Sequence, residues 1–376
     1  MRSFEALGVA ACLTVSLACC TWQTGLPSDA ASIPVDRDRE LVVTDDAVLA
    51  SLSNDASDAP LSFRHAMERV FSSQPAGEAT LAWMAAWSQR LRDEGMPERA
   101  DALDATVTCP WLRRNPDNRC DASCDSCASR VLRLEDAPLR LVAVANRTDL
   151  SVMPDRSADG GEGRLIFALT DGAADSRGAP ALPVTVALEY GQQGSAKDCA
   201  SRWHALGALP DAAFPGALAA LVGTFVDAGA IAQVRTGDAA TGPLVLHEFH
   251  LETGALVAAR VRDTPDWNVV SEDDIRTFCS ANGDAIENGT FVLPEPWLAA
   301  SAPIDAQPPS YLTGIPHHDA FLGGTCAGCH SKADRGFQID PLATGAARLS
   351  RFLVDPTADT DEIRRRVEWM QLTLAQ

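Results

Sequence analysis

Six apolar segments rich in β-branched residues follow one another between residues 139 and 261, and they constrain the fold more than any other feature. Each has the length and residue types of a β-strand, and Thr253-Gly254 between the last two predicts a hairpin turn. One helix, about residues 214–226, interrupts the series. Strands joined mostly by loops indicate a mainly antiparallel sheet in an α+β fold. The segments are 139–145, 163–169, 184–190, 231–235, 244–250 and 256–261.

The chain before these strands has helical periodicity. Ser62 can N-cap a helix in which Phe63, Met67 and Val70 share one face, and a second helix is predicted over about residues 79–92. Each helix carries one apolar face, which is typical of helices that pack on a core. We therefore predict N-terminal helices packed on the mainly antiparallel β domain.

The charge balance narrows the range of partners. Asp and Glu number 51 against 31 Lys and Arg, so the formal net charge is −20 at pH 7. Nucleic acid is not expected as a partner, because binding to phosphates requires clustered cations. Direct adsorption to an anionic membrane is not expected for the same reason. An acidic surface would suit a redox partner with a basic surface.

The first residues are typical of an export signal. Residues 6–18 form an apolar stretch that is too short to span a bilayer but suits the hydrophobic part of a signal peptide. It ends in Leu17-Ala18-Cys19-Cys20, which resembles the bacterial lipoprotein cleavage box and places the lipidated residue at Cys20. Cys19 and an ordinary secretory signal are the alternatives. We expect an exported lipoprotein, held at the outer membrane by its lipid anchor only, with its body in the periplasm or on the cell surface.

The only sharp motif lies near the C-terminus. Residues 325–330 read Thr-Cys-Ala-Gly-Cys-His and contain C-x-x-C-H, the attachment pattern of haem c. The spacing suits this chemistry because two thiols must reach two vinyl groups on one side of a porphyrin, and the adjacent imidazole must meet the iron. We predict one covalent haem c, with thioethers at Cys326 and Cys329 and with His330 as proximal iron ligand. A structural disulfide, a redox dithiol and part of a zinc site are the alternatives.

The sequence does not determine which residue would be the second axial ligand of the iron. Met370 lies on the inward face of a predicted helix that Asp359 could N-cap, with Glu362 in the capping-box position. It is one candidate for the distal ligand, although an inward methionine more often belongs to the core. His317 and His318 are the other candidates. Without any of them the haem would be five-coordinate, and peroxide chemistry would become open to it.

The 11 cysteines fall into separate groups. Cys12 and Cys19 leave with the signal peptide, Cys20 would carry lipid, and Cys326 and Cys329 would hold haem. Six others remain, and an even number in an oxidising compartment predicts three disulfides. A four-cysteine zinc site within the loop-like residues 109–127 is the alternative for four of them. The six are Cys109, Cys120, Cys124, Cys127, Cys199 and Cys279.

Other arrangements of reactive residues give only weak indications of function. His247-Glu248-Phe249-His250 does not match H-E-x-x-H, and on a strand its two imidazoles would point to opposite faces. The sequence has no Gly-rich phosphate loop and no G-x-S-x-G nucleophile elbow. The haem-attachment motif is therefore the strongest indication of function in the sequence.

These features divide the chain into five parts. The boundaries fall where the composition or the periodicity changes. The parts are a signal peptide over 1–19, a tether over 20–58, a helical segment with a Cys-rich loop over 59–130, an antiparallel β-rich domain over 131–300, and a small, mostly helical cytochrome-c-like segment over 301–376.

The order of several short stretches resembles a group of exported bacterial proteins of unassigned function that end in a cytochrome-c-like T-C-x-G-C-H segment. The resemblance implies export and haem attachment and supplies no reaction. Members of this group often carry a histidine after a phenylalanine beyond the motif, where this chain reads Phe337-Gln338. The matching stretches are 62–63, 139–150, 161–167, 188–191, 203–206, 233–236, 248–249 and 321–330.

Three functions remain in view. The first is electron transfer through the single covalent haem. The second is a haem-free cell-surface binding module in which Cys326 and Cys329 form a structural disulfide. The short segment after His330, which is scant for a complete cytochrome domain, favours this second function. The third is a haem peroxidase-like enzyme.

Overall fold

A computed structural model describes most of the chain, and it confirms the α+β class. The predicted signal peptide, the predicted cleavage box with Cys20 and the predicted helix cap Asp359 lie outside the described residues. The described residues are 33–57, 59–154, 159–172, 180–333, 336–341, 347–354 and 362–376.

An eight-stranded antiparallel sheet forms the centre of the molecule. Seven strands pair in chain order, and the eighth pairs with β6 next to β7. All six predicted strands are present, and the predicted hairpin turns at Thr253 and Gly254, which both adopt positive φ. The strands are β1 (Val42–Val43), β2 (Leu139–Arg147), β3 (Glu162–Thr170), β4 (Ala181–Gly191), β5 (Ile231–Asp238), β6 (Val245–Glu252), β7 (Ala255–Ala259) and β8 (Ala302–Pro303), with β9 (Ile339–Asp340) and β10 (Arg348–Leu349) in a separate pair.

Thirteen α-helices accompany the sheets in the described part of the chain, and none of these is both long and apolar enough to cross a membrane. Helix α6 was not predicted, although Ser195 and Asp198 form a capping box at its start. The helices are α1 (Asp46–Leu52), α2 (Phe63–Val70), α3 (Ala76–Asp93), α4 (Pro97–Leu103), α5 (Cys109–Arg114), α6 (Ala196–Gly207), α7 (Phe214–Val226), α8 (Glu272–Ala281), α9 (Gly283–Glu287), α10 (His318–Gly324), α11 (Cys326–His330), α12 (Arg351–Val354) and α13 (Glu362–Ala375).

The main core lies between one face of the sheet and the N-terminal helices. Ser62 caps α2 as predicted, and the Phe63 ring of that helix meets the Phe167 ring of β3 edge-on, with centroids 5.5 Å apart. On α3 the Trp83 ring meets Phe249 of β6 in the same way at 6.1 Å. Side chains alternate along a strand, so the intervening residues point to the opposite face. That second face carries the functional candidates described below.

Residues 37–52 belong to the folded body, so the predicted tether over 20–58 is wrong in this part. Val42 and Val43 pair with Ala145 and Val144 of β2, and α1 packs against α7 and β2. Val42, Val43 and Leu49 are nearly completely buried. A strand of two residues and a helix of seven contain too few repeats to show a period in the sequence.

The structure forms two of the three predicted disulfides. Cys109 is bonded to Cys124, and Cys120 is bonded to Cys127. Cys199 and Cys279 are buried free thiols, so the third disulfide is wrong. Cys279 of α8 belongs to a separate apolar cluster around Phe291 and Phe321, whereas α6 packs on α7, α13 and residues 37–41.

We expect Phe167→Ala to lower the free energy of unfolding by about 3–5 kcal/mol, because it removes a buried ring from the contact with Phe63. Val152→Ala is the control, since Val152 is 55% exposed and its loss should change stability by no more than about 0.5 kcal/mol. Urea denaturation of the two variants measures both values. Equal effects of the two substitutions would contradict this description of the core.

Candidate functional site

The C-x-x-C-H motif forms a short helix, α11. Thr325 caps it, because its Oγ1 accepts a hydrogen bond from the Gly328 backbone N–H at 3.1 Å. A Cβ at Gly328 would lie 1.8 Å from the Leu322 carbonyl oxygen, so only glycine allows α10 to approach this closely. Residues three and four apart share one side of a helix. The two cysteines and the histidine of the motif therefore project on the same side of α11.

Both cysteines of the motif carry neutral, unbonded thiols. Burial raises the pKa of the Cys326 thiol to about 11 and also raises the pKa of Cys329. Cys326 Sγ donates to the Arg262 carbonyl oxygen at 3.2 Å, and Cys329 Sγ accepts from Gln338 Nε2 at 3.2 Å. In this structure the two sulfurs do not form a disulfide. Their high pKa also argues against a reactive thiolate.

The imidazole of His330 is held neutral and oriented. Its Nδ1 lies 2.7 Å from the carbonyl oxygen of Gly336, so Nδ1 carries the proton and donates it. Burial, helped by the nearby Arg235 guanidinium, lowers the pKa of His330 to about 4. The tautomer set by Gly336 leaves Nε2 deprotonated, which is the form of histidine that binds a metal ion.

A chain of buried ion pairs crosses the second face of the sheet, and we call it the charge ladder. Arg164 of β3 contacts Glu162 at 2.7 Å and Glu189 of β4 at 3.3 Å. Arg235 of β5 contacts Glu189 at 3.7 Å and Glu248 of β6 at 2.8 Å. The three carboxylates are almost completely buried. The ladder lies close enough to α11 that its charges influence the motif: Arg235 acts on Cys326 and His330.

A second group of charges, the C-terminal ion cluster, lies beside Cys329 and is buried except for the half-exposed Arg365. It consists of Arg147 at the end of β2, Asp149 just after this strand, and Glu362, Arg365 and Arg366 on α13. Arg147 contacts Asp149 at 2.9 Å. Arg365 contacts both carboxylates of the cluster, Asp149 at 3.4 Å and Glu362 at 2.8 Å. Together the ladder and this cluster contain five carboxylates and five guanidinium groups. The charges of these two groups are therefore balanced in sign when the half-exposed Arg365 is included.

The pKa of Glu248 shows how strongly these pairs are coupled. Burial alone would raise the pKa of this carboxyl, but Arg235, His250 and Arg262 outweigh it and lower the pKa to about 2. His250 Nε2 lies 2.7 Å from Glu248 Oε1, whereas His247 faces the other side of the sheet and contacts Glu94, the residue after α3, at 3.2 Å. The predicted opposite orientation of these two imidazoles is confirmed.

The candidates for a second axial ligand lie in different surroundings. Met370 of α13 faces inward as predicted and is fully buried in the main core. His317 Nδ1 contacts Glu287 Oε1 at 2.7 Å, and His318 contacts the Ile315 carbonyl oxygen at 3.1 Å and Asp319 at 3.3 Å. Helix α13 packs mainly on α6, α12 and residues 37–41.

A cleft of about 730 Å³ opens beside α11. The side of the helix with Ala327, Gly328 and Ser331 lines it, together with Trp267 and Lys332. The two motif cysteines and His330 do not line this cleft. Helix α11 therefore separates an open cleft from the buried side that carries the thiols and the imidazole.

Comparison with protein-family models, with curated proteins and with solved structures finds no match for the chain. The function must therefore be argued from the site.

Sequence reasoning identified Cys326, Cys329 and His330 but missed the charge ladder. Charged residues at alternate strand positions are typical of a face exposed to water, and Arg164 and Arg235 fit that pattern. The cover on this face comes from residues beyond 260, far away in sequence. The sequence did offer one signal for the charge ladder: several charged residues lie in the middle of adjacent strands and all point to the same face of the sheet.

We expect Arg235→Met to lower the free energy of unfolding by about 3–5 kcal/mol, because it leaves Glu189 and Glu248 buried without their shared cation. Arg364→Met is the matched control. The Arg364 side chain is 61% exposed in its pair with Glu368, and exposed pairs contribute about 0–1 kcal/mol. Urea denaturation at neutral pH measures both, and similar effects would mean that the ladder is not a buried network.

The lowered pKa of Glu248 predicts a pH dependence of stability. Its contribution is present above the ordinary glutamate pKa of 4.5 and is lost as the pH falls towards the folded-state pKa of about 2. The free energy of unfolding should therefore fall less steeply between these pH values in Glu248→Gln than in the unmodified chain. Urea denaturation at several acidic pH values compares the slopes. Parallel slopes would show that this carboxyl is not perturbed.

Proposed function

We propose that this chain is an exported c-type haem protein whose single haem is attached to α11. One observation carries the proposal: α11 presents two unbonded thiols and a neutral imidazole on the same side. Haem c supplies one-electron chemistry at iron when it is bound. In forming each thioether, a sulfur of Cys326 or Cys329 bonds to a vinyl carbon, and the thiol hydrogen passes to the other vinyl carbon.

The chain's own residues fit this group in their donor chemistry. His330 offers a deprotonated Nε2 as an axial ligand, and the Gly336 carbonyl fixes its tautomer and increases its basicity. Arg235 Nε is a buried N–H group that finds no acceptor among the described residues. A porphyrin carries carboxylate side groups, and such a group would supply the acceptor that Nε of Arg235 lacks.

Electron transfer is the role that we propose for this haem. The cleft beside α11 lies away from the thiols and the imidazole, so it offers no substrate space on their side. Paired buried charges around the site would need little rearrangement when the charge of the iron changes by one unit. The net charge of −20 favours a redox partner with a basic surface. Export and lipidation at Cys20 belong to the same proposal, with the chain anchored to the outer membrane by lipid alone.

A peroxidase-like activity is the second candidate, and one observation favours it. His317 and His318 contact carboxylates, and Met370 lies in the main core. If none of them binds iron, the haem is five-coordinate, and peroxide could bind at the open position.

Expression in a host with cytochrome c maturation machinery should give a protein with covalent haem. Intact mass spectrometry should show one haem per chain and a lipid at Cys20, and a denaturing gel should retain haem stain. The Cys326→Ala, Cys329→Ala double variant should lose the haem. The Cys199→Ala, Cys279→Ala variant should keep it, since those thiols belong to α6 and α8 and not to α11. Mature protein without haem, or with Cys326 and Cys329 joined in a disulfide, would reject the proposal in favour of a haem-free binding module.

The spin state of the iron distinguishes the two haem functions. Electron transfer with Met370 as distal ligand predicts a low-spin, six-coordinate spectrum that peroxide does not alter. Met370→Leu should convert it to a high-spin spectrum, while Leu374→Met on the same helix should leave it unchanged. Absorption and electron paramagnetic resonance spectra measure this. A high-spin spectrum in the unmodified protein, changed by peroxide, would support the peroxidase-like function instead.

A further inference from the structure

A second cluster of sulfur atoms lies where the loop 115–133 folds back on α5. The sulfurs of Cys120, Cys124 and Cys127 all lie within 4.8 Å of one another, and the sulfur of Cys109 is bonded to that of Cys124. In the oxidised chain these atoms form two disulfides. Four cysteine sulfurs at such short range are also the donor set of a structural zinc site.

The backbone around these cysteines is held together by contacts that do not involve sulfur. Asn118 is fully buried, and its Nδ2 donates to the carbonyl oxygens of Leu112 at 2.8 Å and Val131 at 2.9 Å. Its Oδ1 accepts from the Val131 N–H at 3.1 Å, and its carbonyl accepts from the Ala128 N–H at 2.7 Å. The side chain of Asn115 also donates to Val131, at 3.0 Å. These bonds hold the two ends of the loop together without any contribution from the disulfides.

The distances suit a metal ion. Zinc–sulfur bonds of about 2.3 Å place the sulfurs of a tetrahedral site about 3.8 Å apart, which is within the present spread of 4.8 Å. The bonded cysteines have Cα separations of 5.6 Å and 4.0 Å, so side-chain rotation accounts for most of the change. Arg130 donates to the Cys124 carbonyl oxygen at 3.0 Å and places a cation beside a centre that would carry net negative charge.

We infer that Cys109, Cys120, Cys124 and Cys127 form a tetrathiolate site for one Zn²⁺ when their disulfides are reduced. Two molecules of a dithiol reductant supply four electrons and four protons, and each leaves as its own disulfide. The four thiols then lose their protons to the solvent as Zn²⁺ binds. Oxidation forms the disulfides and prevents zinc binding, whereas reduction frees the thiols to bind it. The zinc occupancy of the site therefore depends on the redox state of the compartment. This inference is independent of the proposed haem.

The test uses the full chain and Zn²⁺ itself. After reduction by a phosphine and removal of the reductant, the chain should bind one zinc ion, and Co²⁺ in its place should give the visible bands of a tetrahedral thiolate site. The oxidised chain should bind none. Zinc should also protect the four loop cysteines from alkylation, as peptide mass spectrometry would show, while Cys199 and Cys279 react at unchanged rates.

Variants provide the second comparison. The Cys120→Ser, Cys127→Ser variant should lose zinc binding, and the Cys199→Ser, Cys279→Ser variant should keep it. Circular dichroism shows whether each variant folds, and the alkylation experiment needs no variant at all. Absence of zinc uptake by the reduced chain would overturn the inference. Protection of cysteines outside the loop, or zinc binding without Cys120 and Cys127, would overturn it as well.

Discussion

The structure depends on the burial of the charge ladder on one face of the central sheet. Glu189 and Glu248 are removed from water almost completely, and Arg235 is the cation that both of them share. Such a face can be covered only if its charges are paired, because an unpaired buried charge costs several kcal/mol. The pairing therefore allows the C-terminal residues to close over the sheet. Without it, this face would have to remain in contact with water, and α11 would have no buried side.

The same arrangement sets the chemistry of the motif. Burial keeps the Cys326 and Cys329 thiols protonated and keeps His330 neutral. A site of this kind is poorly suited to nucleophilic catalysis by a thiolate. The C-terminal ion cluster contributes from the other side, since Glu362 and Arg366 act on Cys329. The charge ladder and the C-terminal ion cluster thus set the electrostatic surroundings of the motif in α11.

The sequence predicted the features that depend on local pattern. Runs of β-branched residues located the strands, and the apolar stripe of α13 placed Met370 inside. Features that depend on distant partners were missed. Arg164 and Arg235 alternate with apolar residues as on a solvated face, and only the fold shows that they are covered. Likewise an even cysteine count predicted a third disulfide, but pairing depends on proximity, and Cys279 lies in an apolar cluster to which Cys199 does not belong.

The burial of the motif sulfurs has a consequence for the order of assembly. Cys326 is 7% exposed and lies among Leu246, Val261, Ala302 and Phe337. A large reagent cannot reach this sulfur once the C-terminal residues are docked on the sheet. Any covalent attachment at α11 must therefore come before that docking, while the rest of the sheet can already be formed. The residues that cover Cys326 would then be among the last to dock on the sheet.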